Sequence, residues 1–299
     1  MKVIYLDNNA TTKVAPEVVD AMLPYLSEYY GNPSSMHSFG GNLAAKIEHA
    51  RQNVATLIGA APDEIVFNSC GTESDGTAIR AAIESNPNKK HIITSRVEHP
   101  AIKNLYEILS KKGYRVTFVP VDNQGRLDLD YLYDKLSDDT AVVSLMWANN
   151  ETGVIFPIEE ISREVKARGI VFHTDAVQAV GKIPIDVNAT GVDMLSLSGH
   201  KVHAPKGVGV LYIRKGTKFF PYMIGGHQEK GRRGGTENVS SIIALGKAAD
   251  LAKQHVDLNG YEAIKKLRDR LESALLAGVT HSMINGDREN RLPNTTSIA

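Results

Sequence analysis

Seven short runs of apolar and β-branched residues alternate with longer stretches whose apolar residues recur at helical spacing. That alternation confines the chain to an α/β architecture, a mostly parallel sheet joined by crossover helices. The runs are Glu64 to Asn68, His91 to Thr94, Arg115 to Val119, Ala141 to Met146, Ile170 to His173, Asp193 to Leu197 and Val208 to Ile213. Several are almost continuously apolar, as expected of strands covered on both faces. Between them, Thr72 to Ile83 carries Glu73 and Asp75 in its first turn and Ala78, Ile79, Ala82 and Ile83 on one face, which predicts a helix despite Gly76. Pro157 to Arg168 reads as a helix with Pro at N1 and Ile158, Ile161 and Val165 toward the sheet. Two more helices, Ser240 to His255 and Tyr261 to Leu276, follow the last strand and are expected to lead out of the main domain. A turn at Asn285-Gly286-Asp287 and a β-prone run, Thr295 to Ala299, come after them, and the Gly-rich stretch Gly225 to Gly235 is expected to be a mobile loop.

Composition narrows the function classes. With 299 residues, roughly two domains are expected. The 34 Lys and Arg balance 34 Asp and Glu, leaving no overall field to draw nucleic acid or an anionic membrane, so a bound anion needs a local site. The single cysteine, Cys70, excludes an intrachain disulfide and a zinc site of several thiolates, and cytoplasmic residence is the expectation. The first twelve residues hold no signal-peptide core. No run of about 18 apolar residues, the length a membrane helix needs, is present.

Three segments offer chemistry. Ser69-Cys70-Gly71-Thr72-Glu73-Ser74-Asp75 lies between a strand and a helix, where free N–H groups, the positive end of the dipole and close approach at Gly71 suit a phosphate. Taken alone it reads better as a helix cap with Ser69 or Thr72 as the capping hydroxyl. Phe172 to Gln178 places Asp175 just past a strand's carboxyl end, where it could hold a protonated ring nitrogen or simply cap a turn. Leu195 to Gly207 runs from a strand into a loop bearing Lys201, whose amine is a nucleophile for Schiff-base chemistry if desolvation strips its proton, and a common solvated lysine otherwise. His200 and His203 lack a third ligand at useful spacing, so no metal site is assigned. Together, a phosphate cradle, a strand-end Asp and a loop Lys are what pyridoxal 5′-phosphate demands.

Several further motifs stand in the same order: Tyr5-Leu6-Asp7-Asn8-Asn9-Ala10-Thr11-Thr12, Gly31-Asn32-Pro33-Ser34-Ser35, Glu98-His99-Pro100, Asn149-Asn150-Glu151-Thr152-Gly153, Thr174-Asp175-Ala176-Val177-Gln178, Ser198-Gly199-His200-Lys201 and Arg233-Gly234-Gly235-Thr236-Glu237-Asn238. With them the chain, from Tyr5 to Ala299, resembles the cysteine desulfurases of the class V aminotransferase family, most closely the nitrogen-fixation type. The resemblance implies a fold-type I pyridoxal-phosphate enzyme. Its large cofactor domain would span 15–258, and a small α+β domain, incomplete at the C-terminus, would comprise 1–14 and 259–299. It implies a homodimer in which Lys201 carries the cofactor, His99 stacks on the ring and assists proton transfer, Asp175 pairs with the ring nitrogen, and Gln178 hydrogen-bonds the phenolic oxygen with Asn150 close by. Gly71, Thr72, Ser198 and His200 would hold the phosphate, and Thr236 would reach the phosphate of the neighbouring subunit. The implied reaction converts L-cysteine to L-alanine and a protein-bound persulfide, whose sulfur passes to an iron–sulfur scaffold protein, with no nucleic-acid or membrane partner.

The family's persulfide cysteine lies in a loop beyond the Leu292-Pro293-Asn294-Thr295 region, and its substrate-gripping arginine lies further on, whereas this sequence stops at Ala299. Cys70, at the phosphate turn, reads as a small buried hydrophobe and receives no catalytic role. A fragment of a longer desulfurase is the favoured expectation. A short non-catalytic scaffold subunit, or a related selenocysteine lyase or aminotransferase, are the alternatives.

Overall fold

The computed structural model describes residues 3–299. In chain order the helices and strands are α1 (Pro16–Met22), α2 (Pro24–Ser27), α3 (Ser38–Ile58), β1 (Ile65–Asn68), α4 (Gly71–Ser85), β2 (His91–Ser95), α5 (Pro100–Lys111), β3 (Arg115–Val119), α6 (Leu129–Lys135), β4 (Thr140–Met146), α7 (Ile158–Ala167), β5 (Val171–Asp175), β6 (Met194–Ser198), β7 (Gly209–Ile213), α8 (Val239–Asp257) and α9 (Tyr261–Gly278). Every expected strand forms, and all join one sheet in the order β1-β7-β6-β5-β4-β2-β3. Strands β2 to β6 run parallel, whereas β7 is antiparallel to both of its neighbours.

Side chains alternate across a strand, so each apolar run feeds two cores. Ile65, Phe67, Ile93, Val143, Leu195 and Tyr212 face one side, where they pack with α3, α7 and α8. Val66, Ile92, Val142, Met194 and Leu211 face the other and are covered by α4 and α5 through Ala78, Ile79, Ile102 and Tyr106. This is the helix–sheet–helix sandwich that the continuous apolar runs predict. The long helix α3 is bounded by local signals. His37 Nδ1 accepts the Gly40 N–H at 3.3 Å, and Gly59 closes the helix at φ 70°, a left-handed turn that other residues rarely adopt.

Several expectations are corrected. Pro157 is the N-cap of α7 rather than its first residue. Helix α8 does not leave the main body: Ile242, Ala244, Leu245, Ala248 and Ala249 sink into the core against α3. Only α9 stands apart, burying Arg268 and Glu272 while exposing Leu267, Leu271 and Leu275. The run Thr295 to Ala299 makes a single bridge, Ile284 to Ile298, with reciprocal Met283–Ala299 backbone bonds, because only three residues of the facing segment come alongside it.

The Gly-rich stretch is not a loose loop. Buried Glu229 accepts from Arg51 Nη1 and Nη2 at 2.7 and 2.8 Å and from the Phe67 N–H at 2.9 Å. Arg232 donates to the carbonyls of Asp63 and Ile65. Charge at Glu229, Arg232 and Arg233 ties down a backbone whose glycines alone would leave it mobile.

The topology gathers the chemistry. Since β7 is antiparallel to both β1 and β6, those two strands point the same way, and Asn68 and Ser198 both face Gly209. Asp175 pairs with Ser196 on one side and Met146 on the other. The carboxyl ends of β1, β6, β5 and β4 therefore line one edge, where ligands of open α/β sheets bind.

Candidate active site

A cavity of about 390 Å³ lies over that edge. Gly71, Thr72, His99, Asn150, Asp175, Gln178, Ser198, His200 and Lys201 all line it, although 130 residues separate the first from the last. Thr236 does not; it is exposed beyond the Gly-rich segment.

At one end α4 points its N-terminus into the cavity. Its N-cap is Cys70, which makes no side-chain cap bond. Ser69 Oγ is instead committed to Glu73 Oε2 at 2.5 Å, so the capping role open to Ser69 or Thr72 is unfilled and first-turn N–H groups remain available. A Cβ on Gly71 would stand 2.9 Å from Val177 Cγ2 and 3.5 Å from Ser198 Cβ, so glycine keeps this cradle open. Glu73 would oppose an anion here, but Arg233 Nε binds it at 2.9 Å, and the Arg233 and Ser69 hydrogen bonds outweigh burial to hold its carboxyl below the usual range. Cys70 is half-buried and lines the cavity rather than packing as a buried hydrophobe, because the uncapped helix end opens toward it.

At the other end, Lys201 leaves a short 3₁₀ turn after β6 and donates to the Asn9 and Ala10 carbonyls, the second at 2.8 Å. Burial lowers its amine below the usual lysine range, with Asp175 and Asp7 pulling the other way. Asp175 Oδ1 accepts the Val177 N–H at 2.9 Å, while Oδ2 takes no hydrogen bond from the described residues. Burial raises its carboxyl, against the Val177 bond and the neighbouring His99 and Lys201. His99 Nδ1 accepts the Ala101 N–H at 3.2 Å. His200 Nδ1 lies 3.0 Å from Thr11 Oγ1, and burial followed by Lys201 lowers its pKa. Asn150 Nδ2 binds Glu151 Oε1 at 2.6 Å.

Asn9 joins these pieces, although in the sequence it is only one residue of the Tyr5 to Thr12 motif, with no role assigned to it. Its carbonyl accepts from both Gln178 Nε2 and Lys201 Nζ, its Nδ2 donates to the Asn150 carbonyl and to Thr295 Oγ1, and its Oδ1 accepts from Asn294. A second unannounced feature lies beneath Asp175. Asp75 and Glu98 are buried carboxyls, each with an oxygen lacking any partner, and His173 is buried between Ser144 and Ser196. Burial pushes Glu98 up to about 8 and His173 down to about 3. Asp75 is raised by burial and then by Asp175. So many acids in one dry layer cannot all ionise. Proton storage on Asp75 and Glu98 leaves the negative charge to Asp175, the carboxyl beside His99 and Lys201. Among the described residues no group of three or more His, Cys, Asp or Glu is placed to hold a metal ion.

An open helix N-terminus, a strand-end carboxylate with one free oxygen, and a desolvated lysine define an α/β enzyme that holds a phosphorylated ring cofactor. The chain belongs to the aminotransferase class-V family, whose pattern it matches over residues 4–299. It is 59% identical to a cysteine desulfurase of Trichormus azollae, over 100% of this chain and 74% of that protein. It is 57% identical to cysteine desulfurase NifS of Azotobacter vinelandii, over 99% of this chain and 74% of that one. The solved structure of a NifS-like protein superposes with a TM-score of 0.96 at 40% identity, over 100% of this chain and 82% of that one.

The family depends on pyridoxal 5′-phosphate, and the residues fit it. Gly71 leaves room at the helix end for a phosphate, Asp175 Oδ2 takes no hydrogen bond from the described residues, and Lys201 lines the same cavity. The fold is that of the fold-type I enzymes to which the NifS-like proteins belong.

Proposed function

We propose that this chain is a pyridoxal-phosphate-dependent cysteine desulfurase that takes sulfur from L-cysteine and leaves L-alanine. The observation that carries the reading is the convergence of Gly71, Asp175 and Lys201 on one cavity, in a chain 57–59% identical to desulfurases over nearly its whole length. When bound, the cofactor supplies an electron sink for the charge left as the substrate Cα loses its proton.

Lys201 holds the aldehyde through an amine that desolvation keeps easy to deprotonate. Asp175 directs Oδ2 at the ring nitrogen, with Oδ1 anchored on Val177. His99 uses Nδ1 to accept the Ala101 N–H, so in its neutral form the proton sits on Nε2, the nitrogen left to exchange protons with substrate. Gln178 Nε2 serves the phenolic oxygen, with Asn150 beside it. Gly71, Thr72, Ser198 and His200 hold the phosphate. Cys70, the N-cap of α4 at the phosphate end, takes no catalytic role.

The protein acts as a cytoplasmic homodimer. A large cofactor domain spans 15–258, and a smaller one comprises 1–14 and 259–299. Thr236, exposed and off its own cavity, serves the phosphate of the neighbouring subunit. The sulfur passes to an iron–sulfur scaffold, with nitrogenase cluster assembly the process served. Among the described residues no helix is long and apolar enough to cross a membrane.

Borohydride reduction of the cofactor-loaded protein, followed by intact mass and peptide mapping, tests the reading. A pyridoxyl adduct on Lys201, absent in Lys201→Ala, is expected. Folded protein supplied with cofactor and giving no adduct overturns the proposal. Parallel assays of alanine with sulfur, selenide and keto-acid release separate a desulfurase from a selenocysteine lyase or an aminotransferase.

A further inference from the structure

Gln178 is held by two partners of opposite hydrogen-bonding character. Its Oε1 accepts from Lys182 Nζ at 2.7 Å, and its Nε2 donates to the Asn9 carbonyl at 2.9 Å. An ammonium only donates and a carbonyl only accepts, so turning the amide over would set donor against donor and acceptor against acceptor. The orientation is therefore unique. Both amide hydrogens lie on the side of Asn9; one is used there and the other is left for the cavity that Gln178 lines. Lys182 lines the larger neighbouring cavity of about 790 Å³ and not the one holding Asp175 and Gly71, so its hydrogen bond into the site runs through Gln178.

We propose that Lys182 is a positioning residue for the cofactor, locking the Gln178 carboxamide so that Nε2 is presented to an anionic oxygen of the cofactor ring. The inference rests on the function proposed above and adds a residue to it. Burial and the nearby Lys201 push the Lys182 amine down to about 7, yet an amine keeps N–H donors for Oε1 in either protonation state. Without Lys182, Oε1 loses its only partner among the described residues and the amide is held by the Asn9 carbonyl alone.

The test is a double-mutant cycle on cofactor binding. Wild type, Lys182→Met, Gln178→Ala and the double variant are stripped of cofactor and titrated with pyridoxal 5′-phosphate, and the denaturation midpoint of each stripped protein is recorded. Lys182→Met is expected to weaken binding about tenfold, the worth of a hydrogen bond to a charged group. In the Gln178→Ala background the same change is expected to do almost nothing, and Lys182→Arg, which keeps a donor, is expected to recover most of the loss. A merely structural lysine would lower the midpoint equally in both backgrounds and would not be silenced by Gln178→Ala. Additive losses, or Lys182→Met binding like wild type, overturn the inference while leaving the function standing. Wild type that binds no cofactor overturns both. Should Lys182→Met fail to fold, Lys182→Ala, which also removes the donor, takes its place in the cycle with the same expected outcomes.

Discussion

Glu98 and His173 sit within one buried layer and are perturbed in opposite directions, which gives the protein a stability profile with two slopes. Glu98 holds its proton up to about 8 when folded, whereas in the unfolded chain it ionises near 4.5. Between those values the folded state binds more protons, so stability falls as pH rises and levels off above about 8. Folded His173 stays neutral down to about 3 while the unfolded imidazole takes a proton below about 6.5, so stability also falls as pH drops through that range. Urea denaturation of cofactor-free protein is expected to give a lower midpoint at about pH 8 than at about pH 6, and Glu98→Gln is expected to remove most of that difference. An unchanged difference in the variant would mean that Glu98 is already ionised. The titrations of these residues are invisible in the sequence, where Glu98 stands in the turn between β2 and α5 and His173 lies within β5. What shifts them is the depth of β2, β4 and β5, a property of the sheet and not of neighbouring residues.

The Gly-rich segment is the element whose sequence misleads most. Its glycines predict mobility, but Glu229 and Lys230 adopt left-handed φ values of 49° and 58° without glycine's freedom, held by Glu229's bonds to Arg51 and Phe67. Glu229→Ala would take the buried carboxylate from Arg51, leaving it only the exposed Glu48 and the Ile65 carbonyl, and is expected to cost about 3 kcal/mol. Guanidinium denaturation measures that loss, and limited proteolysis should show new cleavage between 225 and 235. Resistance equal to wild type would show that the glycines and Arg232 suffice. Helix α4 carries the complementary lesson. Its acidic first turn and apolar stripe announce a helix, and a hydroxyl cap is the ordinary inference. Only the fold reveals that Ser69 is engaged by Glu73 and that the helix end is open for a ligand.

For the molecule as a whole, the proposed dimer makes a prediction that the single chain cannot satisfy. Thr236 lies outside its own cavity, so it can serve a phosphate only across an interface. Sedimentation equilibrium should give twice the chain mass, and Thr236→Val should weaken cofactor retention in the dimer. Mixed dimers of Lys201→Ala and Thr236→Val chains should regain one intact site. Monomeric protein that retains cofactor as strongly as wild type after Thr236→Val would remove Thr236 from the site.

The α/β class and the positions of its seven strands were legible because apolar runs and turn residues are local properties, and a sheet with covered faces imposes them on each strand separately. Gly71, Asp175 and Lys201 stood out only in combination, since each alone reads as well as a helix cap, a turn residue or a solvated lysine; the fold brings all three to one cavity. The tertiary structure decided what local pattern cannot encode. It set which strand ends share an edge, which β7 settles by reversing direction between β1 and β6. It made Asn9 the common partner of Gln178 and Lys201, residues 169 and 192 positions away. It buried Asp75, Glu98 and His173 together. Each of these depends on contacts between distant segments, whose energies exist only once the sheet has closed.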